Sequence, residues 1–228
     1  MGTLVVVIVF VAVVVLAVVQ WQLRQKRGEE LLAFAFQFGL EYSRTDIRGE
    51  ALVAPFALFE KGDGRGVENF ITGAWQGLPV TEFDYWYYDE STDSEGHRSK
   101  TYHYFSCAEA AIGAFCPHLV VGREDPGTWL AGHMGFHDIE FELEEFNRAF
   151  WVKCEDRKFA NDMIDQRMMN WMLRVGSDWS FEGCGSEVLV YSRRRKPFEL
   201  IPLLGALKGF LDHVPRVVYE LYGPDAAR

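Results

Sequence analysis

Residues 4–19, LVVVIVFVAVVVLAVV, decide the architecture of this chain, because they contain no polar side chain and the first charged side chain is Arg24. At 1.5 Å per residue, a helix over residues 2–21 reaches roughly 30 Å, the thickness of the hydrocarbon core of a bilayer. Valine favours strands in water, but a lone segment in lipid must satisfy its backbone groups internally, and only a helix does so. We therefore expect one transmembrane helix that contacts the bilayer through residues 2–21.

The flanks of this segment predict its orientation. Arg24, Lys26 and Arg27 follow the segment directly, whereas no charged side chain precedes it. The positive-inside rule then places the N-terminus outside the cell membrane and the rest of the chain in the cytoplasm. A cleaved signal peptide is the alternative, but it requires a basic start and a small-residue cleavage site. Trp21 also suits the aromatic belt at a membrane surface.

The chain divides into three predicted parts. They are a transmembrane anchor over residues 1–23, a juxtamembrane helix over 24–39 and one cytoplasmic domain over 40–228. Apolar residues recur at helical spacing between Leu31 and Phe38, and Gly39 is placed to end that helix. About 200 residues suffice for one well-buried domain.

Charge excludes one class of partner. The chain carries a net charge of −10, so the part without the three flanking cations carries −13. Nucleic acid binding requires a basic face, and we expect none. The four cysteines, Cys107, Cys116, Cys154 and Cys184, show no C-x-x-C spacing. We expect reduced thiols, although two disulfides could form if the domain were exported.

Alternating and helical patterns predict an α+β domain of antiparallel β-hairpins packed with two longer helices. In residues 78–88, LPVTEFDYWYY, apolar and polar side chains alternate with period two. Residues 101–105 follow after a polar loop and are predicted to pair with them as the second strand of a long hairpin. The helices are predicted over 157–175, after a capping Asp156, and over 198–221, with a bend or a break near Pro202 and Pro215. Phe150 and Trp171 are expected in the core. Other predicted strands cover residues 40–42, 51–59, 67–75, 118–121, 139–141 and 146–154, with a second hairpin over 179–191.

The only metal candidate is weak. His133 and His137 are four residues apart and Asp138 follows, but Gly132 and Gly135 indicate a loop and no zincin glutamate is present. A membrane-tethered, metal-dependent hydrolase using residues 132–138 therefore stays an alternative. We predict no catalytic residue and no cofactor.

The run Arg193, Arg194, Arg195 and Lys196 is a local exception to the acidic balance. It could contact anionic lipid headgroups or a protein partner. Alternatively, its charges pair with nearby carboxylates or protect an edge strand.

Residues 138–152, DIEFELEEFNRAFWV, followed by Phe159-Ala160 and by residues 165–169, DQRMM, resemble a pattern in uncharacterised bacterial membrane-anchored proteins of a domain-of-unknown-function family. The resemblance implies a bacterial membrane protein and transfers no activity. The function expected from the sequence is a non-enzymatic binding or scaffold module at the membrane, with an unknown protein partner.

Overall fold

The computed structural model describes residues 2–45, 56–123, 137–176 and 178–224. Its first element is one unbroken helix, α1 (Gly2–Gln37), which contains both the apolar segment and the charged flank. Within the described residues, α1 is the one helix long and apolar enough to cross a membrane. Gly39, with φ +68°, follows its end, and the Leu40 amide donates to the carbonyl of Ala35. The predicted glycine stop is confirmed.

In the described part of the chain, seven strands form one antiparallel sheet. They are β1 (Glu41–Ser43), β2 (Gly64–Trp75), β3 (Leu78–Thr92), β4 (Arg98–Gly122), β5 (His137–Asp138), β6 (Trp151–Cys154) and β7 (Ser180–Arg193). The order is β1-β2-β3-β4-β6-β5, and β7 pairs with the other edge of β4. β4 is therefore the central strand of the sheet.

Five further helices and two 3₁₀ turns complete the chain as described. The helices are α2 (Glu144–Ala149), α3 (Arg157–Met163), α4 (Gln166–Val175), α5 (Leu200–His213) and α6 (Arg216–Tyr222); the 3₁₀ turns are Ala57–Glu60 and Pro197–Glu199. The predicted α+β class is confirmed.

Apolar side chains cover both faces of the sheet. On one face, the C-terminal half of α1 and the helices α2–α6 form the larger core. This core includes Phe150 and Trp171, as predicted. The other face has a smaller, aromatic core consisting of Phe56, Leu58, Phe59, Phe70, Phe83, Tyr85, Cys107, Leu189 and Tyr191. Because side chains alternate across a strand, β3 contributes to both cores.

Several predicted elements differ in detail. The helix predicted over 157–175 is two helices, because Asp165 accepts a hydrogen bond from the Met168 amide and so begins α4 anew. The hairpin predicted over 179–191 is the single strand β7, whose glycines accompany a break in register with β4. Residues 146–149 belong to α2 rather than a strand. Residues 57–60 form a 3₁₀ turn, and residues 51–55 of that predicted strand lie outside the described residues.

Candidate functional site

The C-terminal half of α1 is part of the core of the domain. Leu31 and Ala35 are fully buried on the sheet. Residues four apart lie on the same side of a helix, so the side that bears Leu31 and Ala35 also bears Arg27. The helical period therefore turns one cation of the basic flank towards the sheet.

Arg27 forms a two-point ion pair with Asp84 of β3. Its Nε and Nη2 atoms each donate to one carboxylate oxygen over 2.6 Å, and its Nη1 atom donates to the carbonyl oxygen of Arg195 over 2.8 Å. The Asp84 side chain is only 1% exposed. Paired N–H···O bonds of this kind are among the strongest between side chains. They join α1 to the sheet directly below the apolar segment.

Three further side chains donate to Asp84, the longest of these bonds being that from Ser106 Oγ at 3.5 Å. Arg194 Nη2 donates to Asp84 over 2.9 Å and to Glu68 over 2.7 Å, and Asn69 Nδ2 donates to Asp84 over 2.9 Å. We call Arg27, Glu68, Asn69, Asp84 and Arg194 the Asp84 cluster. Four different elements or their ends meet there, since Arg194 directly follows β7.

A β-bulge positions Asn69. The register of β2 against β3 shifts between Glu68 and Ile71, and Asn69 has φ +61°. Asparagine adopts this left-handed conformation more readily than most residues. The Tyr42 hydroxyl donates to Asn69 Oδ1 over 2.9 Å, which orients the amide towards Asp84. The bulge thus redirects a side chain into the cluster, a common use of bulges near functional sites.

Charge neutralisation stabilises the cluster in its buried position. Burial by itself would raise the pKa of Asp84, but the hydrogen bonds and charges of Arg27 and Arg194 lower this pKa below its ordinary value. Burial opposes the charge of Arg194 too, yet Asp84 and Glu68 raise the pKa of Arg194. Asp84 is therefore ionised between two cations.

Glu82 lies two residues before Asp84 on the same face of β3. Its side chain is buried, and neither carboxylate oxygen has a hydrogen-bond partner in the described part of the chain. Burial, followed by the charge of Asp84, raises the pKa of Glu82 well above 4.5. Glu82 therefore favours its neutral form, beside the charged cluster, more strongly than an exposed glutamate does.

A cavity opens between the cluster and α1. Its volume is about 190 Å³, and its lining residues are Leu23, Arg24, Arg27, Arg44, Glu68, Asn69 and Arg194. We call it the arginine cavity, because four of its seven lining residues are arginines.

The hairpin of β3 and β4 extends from this site towards the anchor side, by which we mean the side of the core on which the apolar segment of α1 lies. Val80 pairs with Gly73, which lies against Leu40 just after the end of α1, whereas Asp84 pairs with Arg27. The direction along β3 from Val80 to Asp84 therefore corresponds to the direction along α1 towards its N-terminus. Beyond Asp84, the strand continues for about 26 Å to Thr92. The hairpin turn therefore lies on the same side of the core as the apolar segment.

An aromatic face covers this projecting hairpin. Trp86 and Tyr88 of β3 follow Asp84 on the same face, and they pair across the ladder with Tyr104 and Tyr102 of β4. The rings contact one another with centroid separations between 5.3 and 6.3 Å. A Cβ atom on Gly66 would lie 2.6 Å from the Trp86 ring, so β2 leaves room for that ring. Tyr102 is 46% and Tyr104 37% exposed.

The predicted cations have different environments. Arg24 lines the arginine cavity, Lys26 lies 3.8 Å from Glu30, and Arg27 belongs to the Asp84 cluster. In the basic run, Arg193 and Lys196 are exposed. Arg194 is in the cluster and Arg195 approaches Asp178 at 3.7 Å, so the run is not one uniform patch.

The metal candidates are not brought together by the described structure. His133 lies outside the described residues, and His137 begins β5 opposite Cys154. The Asp138 carboxylate lies 3.5 Å from the Lys153 amine. Among the described residues, no group of three histidine, cysteine or acidic side chains could hold a metal ion.

Sequence reasoning missed Asp84, Glu68, Asn69 and Glu82 as site residues. The available signal was the pair of carboxylates at alternate positions of an aromatic strand, Glu82 and Asp84. Such a face is expected to be solvated unless cations cover it. The covering cation, Arg27, is 57 residues away in sequence, and no local pattern connects the two.

The fold and the site define a class of chain, an α+β domain joined to one helix that could span a membrane. Among solved structures, the chain is similar to the crystal structure of the mycobacterial trehalose monomycolate transport factor A, TtfA. Sequence identity is 12%, the likeness covers 82% of this chain and 93% of that chain, and the TM-score is 0.60. This likeness shows a shared fold. No protein-family model and no curated protein matches the chain.

Proposed function

We propose that this chain is a single-pass membrane protein whose domain is a non-enzymatic binding or scaffold module beside the bilayer. The continuity of α1 carries the proposal, because the same helix contains the apolar segment and contributes Leu31 and Ala35 to the core. A flexible linker would let the domain tumble. A helix that ends inside the core instead gives the sheet one orientation relative to the membrane.

The domain is proposed to face the cytoplasm, with the N-terminus outside. Arg24, Lys26 and Arg27 support this orientation through the positive-inside rule. The four free cysteines also support it, since the cytoplasm keeps thiols reduced. The likeness to a mycobacterial protein agrees with a bacterial origin. Membership of a domain-of-unknown-function family stays a hypothesis.

The aromatic face is the proposed binding surface, and its proposed partner is another protein of the same membrane. Tryptophan, tyrosine and arginine are enriched at protein interfaces, and this face combines Trp86, Tyr88, Tyr102 and Tyr104 with the nearby Arg194. Its position on the anchor side limits the partners that can reach it. Because the similar structure is named a transport factor, we propose a component of membrane transport as the partner.

Site-specific photocrosslinking tests this proposal. A photoreactive amino acid replaces Tyr102 in one sample and Phe115 in the other; Phe115 lies further along β4 and is 65% exposed. In native membranes, we expect position 102 to give one defined adduct with an integral membrane protein, and position 115 to give none. Adding Tyr104→Ala, which removes the ring stacked on Tyr102, should reduce the adduct. Equal adducts at both positions, or none at 102, would contradict the proposal.

A further inference from the structure

The arginine cavity has more positive charge than the cluster neutralises. Arg27 and Arg194 pair with Asp84, and Arg194 also pairs with Glu68. Arg24 and Arg44 have no carboxylate within ion-pairing distance in the described residues; Arg44 donates to the amide oxygen of Gln25 over 2.9 Å. The four arginines that line the cavity carry four positive charges, and the carboxylates of Glu68 and Asp84 neutralise two of them. An excess of two positive charges therefore remains around a space of about 190 Å³.

From this geometry we infer that the arginine cavity binds the phosphate group of a membrane lipid headgroup. Guanidinium groups donate paired hydrogen bonds that match the oxygens of a phosphate, and they keep their charge in partly buried positions. The rest of the chain beyond the basic flank is strongly acidic, so diffuse attraction to an anionic membrane is disfavoured. Recognition must therefore be local, and the cavity is where the local charge is positive.

The position of the cavity along α1 selects a lipid over a free anion. Leu23 lines the cavity and is the last apolar residue before the basic flank, which begins at Arg24. From Leu23 to Arg27 the helix rises by about 6 Å, a distance comparable with the headgroup layer beside the hydrocarbon core. This step rests on the proposed membrane anchoring. A phosphate held there belongs to a lipid whose acyl chains lie along α1.

The test uses the full chain purified in an uncharged detergent and titrated with phosphatidylglycerol, with bound lipid counted by native mass spectrometry. Arg24→Gln with Arg44→Gln removes the two arginines outside the Asp84 cluster. Lys26→Gln with Arg193→Gln is the matched control, because it removes two exposed cations that do not line the cavity. We expect the first pair to weaken lipid binding at least about tenfold and the control pair to change it less than about twofold.

Two other ligands separate the sources of binding. Diacylglycerol, which lacks phosphate, should bind much more weakly than phosphatidylglycerol. Inorganic phosphate at the same concentration as phosphatidylglycerol should not displace the bound phosphatidylglycerol. Equal losses in the two double variants, or equal binding of diacylglycerol, would overturn the inference. Displacement by inorganic phosphate would overturn the lipid assignment. None of these results alters the crosslinking test at Tyr102, which does not use these arginines.

Discussion

At the scale of single residues, Asp84 organises the part of the sheet on which α1 docks through Arg27. A buried carboxylate is costly unless cations and hydrogen bonds compensate, and Arg27, Arg194 and Asn69 supply both. Removing one partner of such a group leaves an uncompensated charge and typically costs about 3–5 kcal/mol. The cluster therefore specifies where α1 docks, because the helix satisfies Asp84 in only one register.

Glu82 is the residue whose titration tests this electrostatic description. Its pKa in the folded state is raised above 4.5, so the folded protein binds more protons than the unfolded chain above that pH. The stabilising contribution of the protonated form is fully present below about pH 4.5 and is lost as the pH rises through the folded pKa.

We predict that Glu82→Gln becomes progressively more stable relative to the wild type as the pH is raised above 4.5. The variant has no carboxyl at this buried position, whereas the unfolded wild type ionises Glu82 above about pH 4.5 and the folded wild type holds the proton to higher pH, which favours unfolding. Denaturant unfolding of both proteins at pH 5, 6, 7 and 8 measures the difference in free energy. A difference that stays constant over this range would mean that Glu82 is not held neutral by burial.

The residue scale is also where prediction from sequence reached its limit. The positions of Arg24, Lys26 and Arg27 indicated a membrane flank, but the second role of Arg27 depends on a contact with Asp84 in a distant strand. Likewise, Arg194 was one of four consecutive cations in the sequence, and only the fold distinguishes it from the exposed Arg193. Charge identity is local information, whereas charge pairing is set by the tertiary structure.

At the scale of elements, hydrophobic periodicity predicted what was long and regular. The apolar segment gave α1, and the alternation of residues 78–88 gave the hairpin of β3 and β4. Breaks were harder to predict. Asp165 begins a new helix inside a continuous Met-rich pattern, and the glycines of β7 mark an irregular register rather than a turn. Caps and bulges depend on one or two side chains, so they carry little periodic signal.

Two glycines of α5 give a matched prediction. A Cβ atom added at Gly205 has no neighbour within 4 Å, but one added at Gly209 would lie 2.6 Å from the Trp171 ring, which is also stacked on His213. We expect Gly205→Ala to stabilise the fold by about 0.5–1 kcal/mol through helix propensity. Gly209→Ala should destabilise it by about 1–3 kcal/mol, because Trp171 has to move.

Thermal unfolding followed by circular dichroism compares these two variants with the wild type. Both substitutions add the same methyl group to the same helix, so each serves as the control for the other. The packing of α5 on Trp171 would be wrong if Gly209→Ala raised the melting temperature as much as Gly205→Ala.

At the scale of the whole molecule, the anchor-length helix and the sheet form one unit. Leu31 and Ala35 contribute the apolar contact and Arg27 the polar one, so α1 is both a possible membrane span and a core helix. The sequence predicted the division into anchor, juxtamembrane helix and domain, but not that one side of the juxtamembrane helix would be buried in the core of the domain. A short amphipathic helix is equally compatible with docking on the domain and with lying at the membrane surface.

The central claim, that α1 holds the sheet in one orientation relative to the bilayer, is tested most directly by a distance between two spin labels in lipid nanodiscs. One label replaces Val13 in the apolar segment and the other replaces Thr101 in the hairpin, both through cysteine. Cys184→Ser removes the half-buried native thiol, and burial raises the pKa of Cys116 to about 12 and of Cys154 to about 11, which suppresses their labelling. Cys107 is buried as well.

The control inserts three glycines between Lys26 and Arg27, which interrupts the helix between the anchor and the domain. Pulsed electron paramagnetic resonance should give one narrow distribution of the distance between the labels for the uninterrupted chain, and a broad distribution for the variant with the insertion. Asp84→Asn, which weakens the contact with Arg27, should give an intermediate width. A distribution for the uninterrupted chain as broad as that of the insertion would contradict the account, because the domain would then move independently of its anchor.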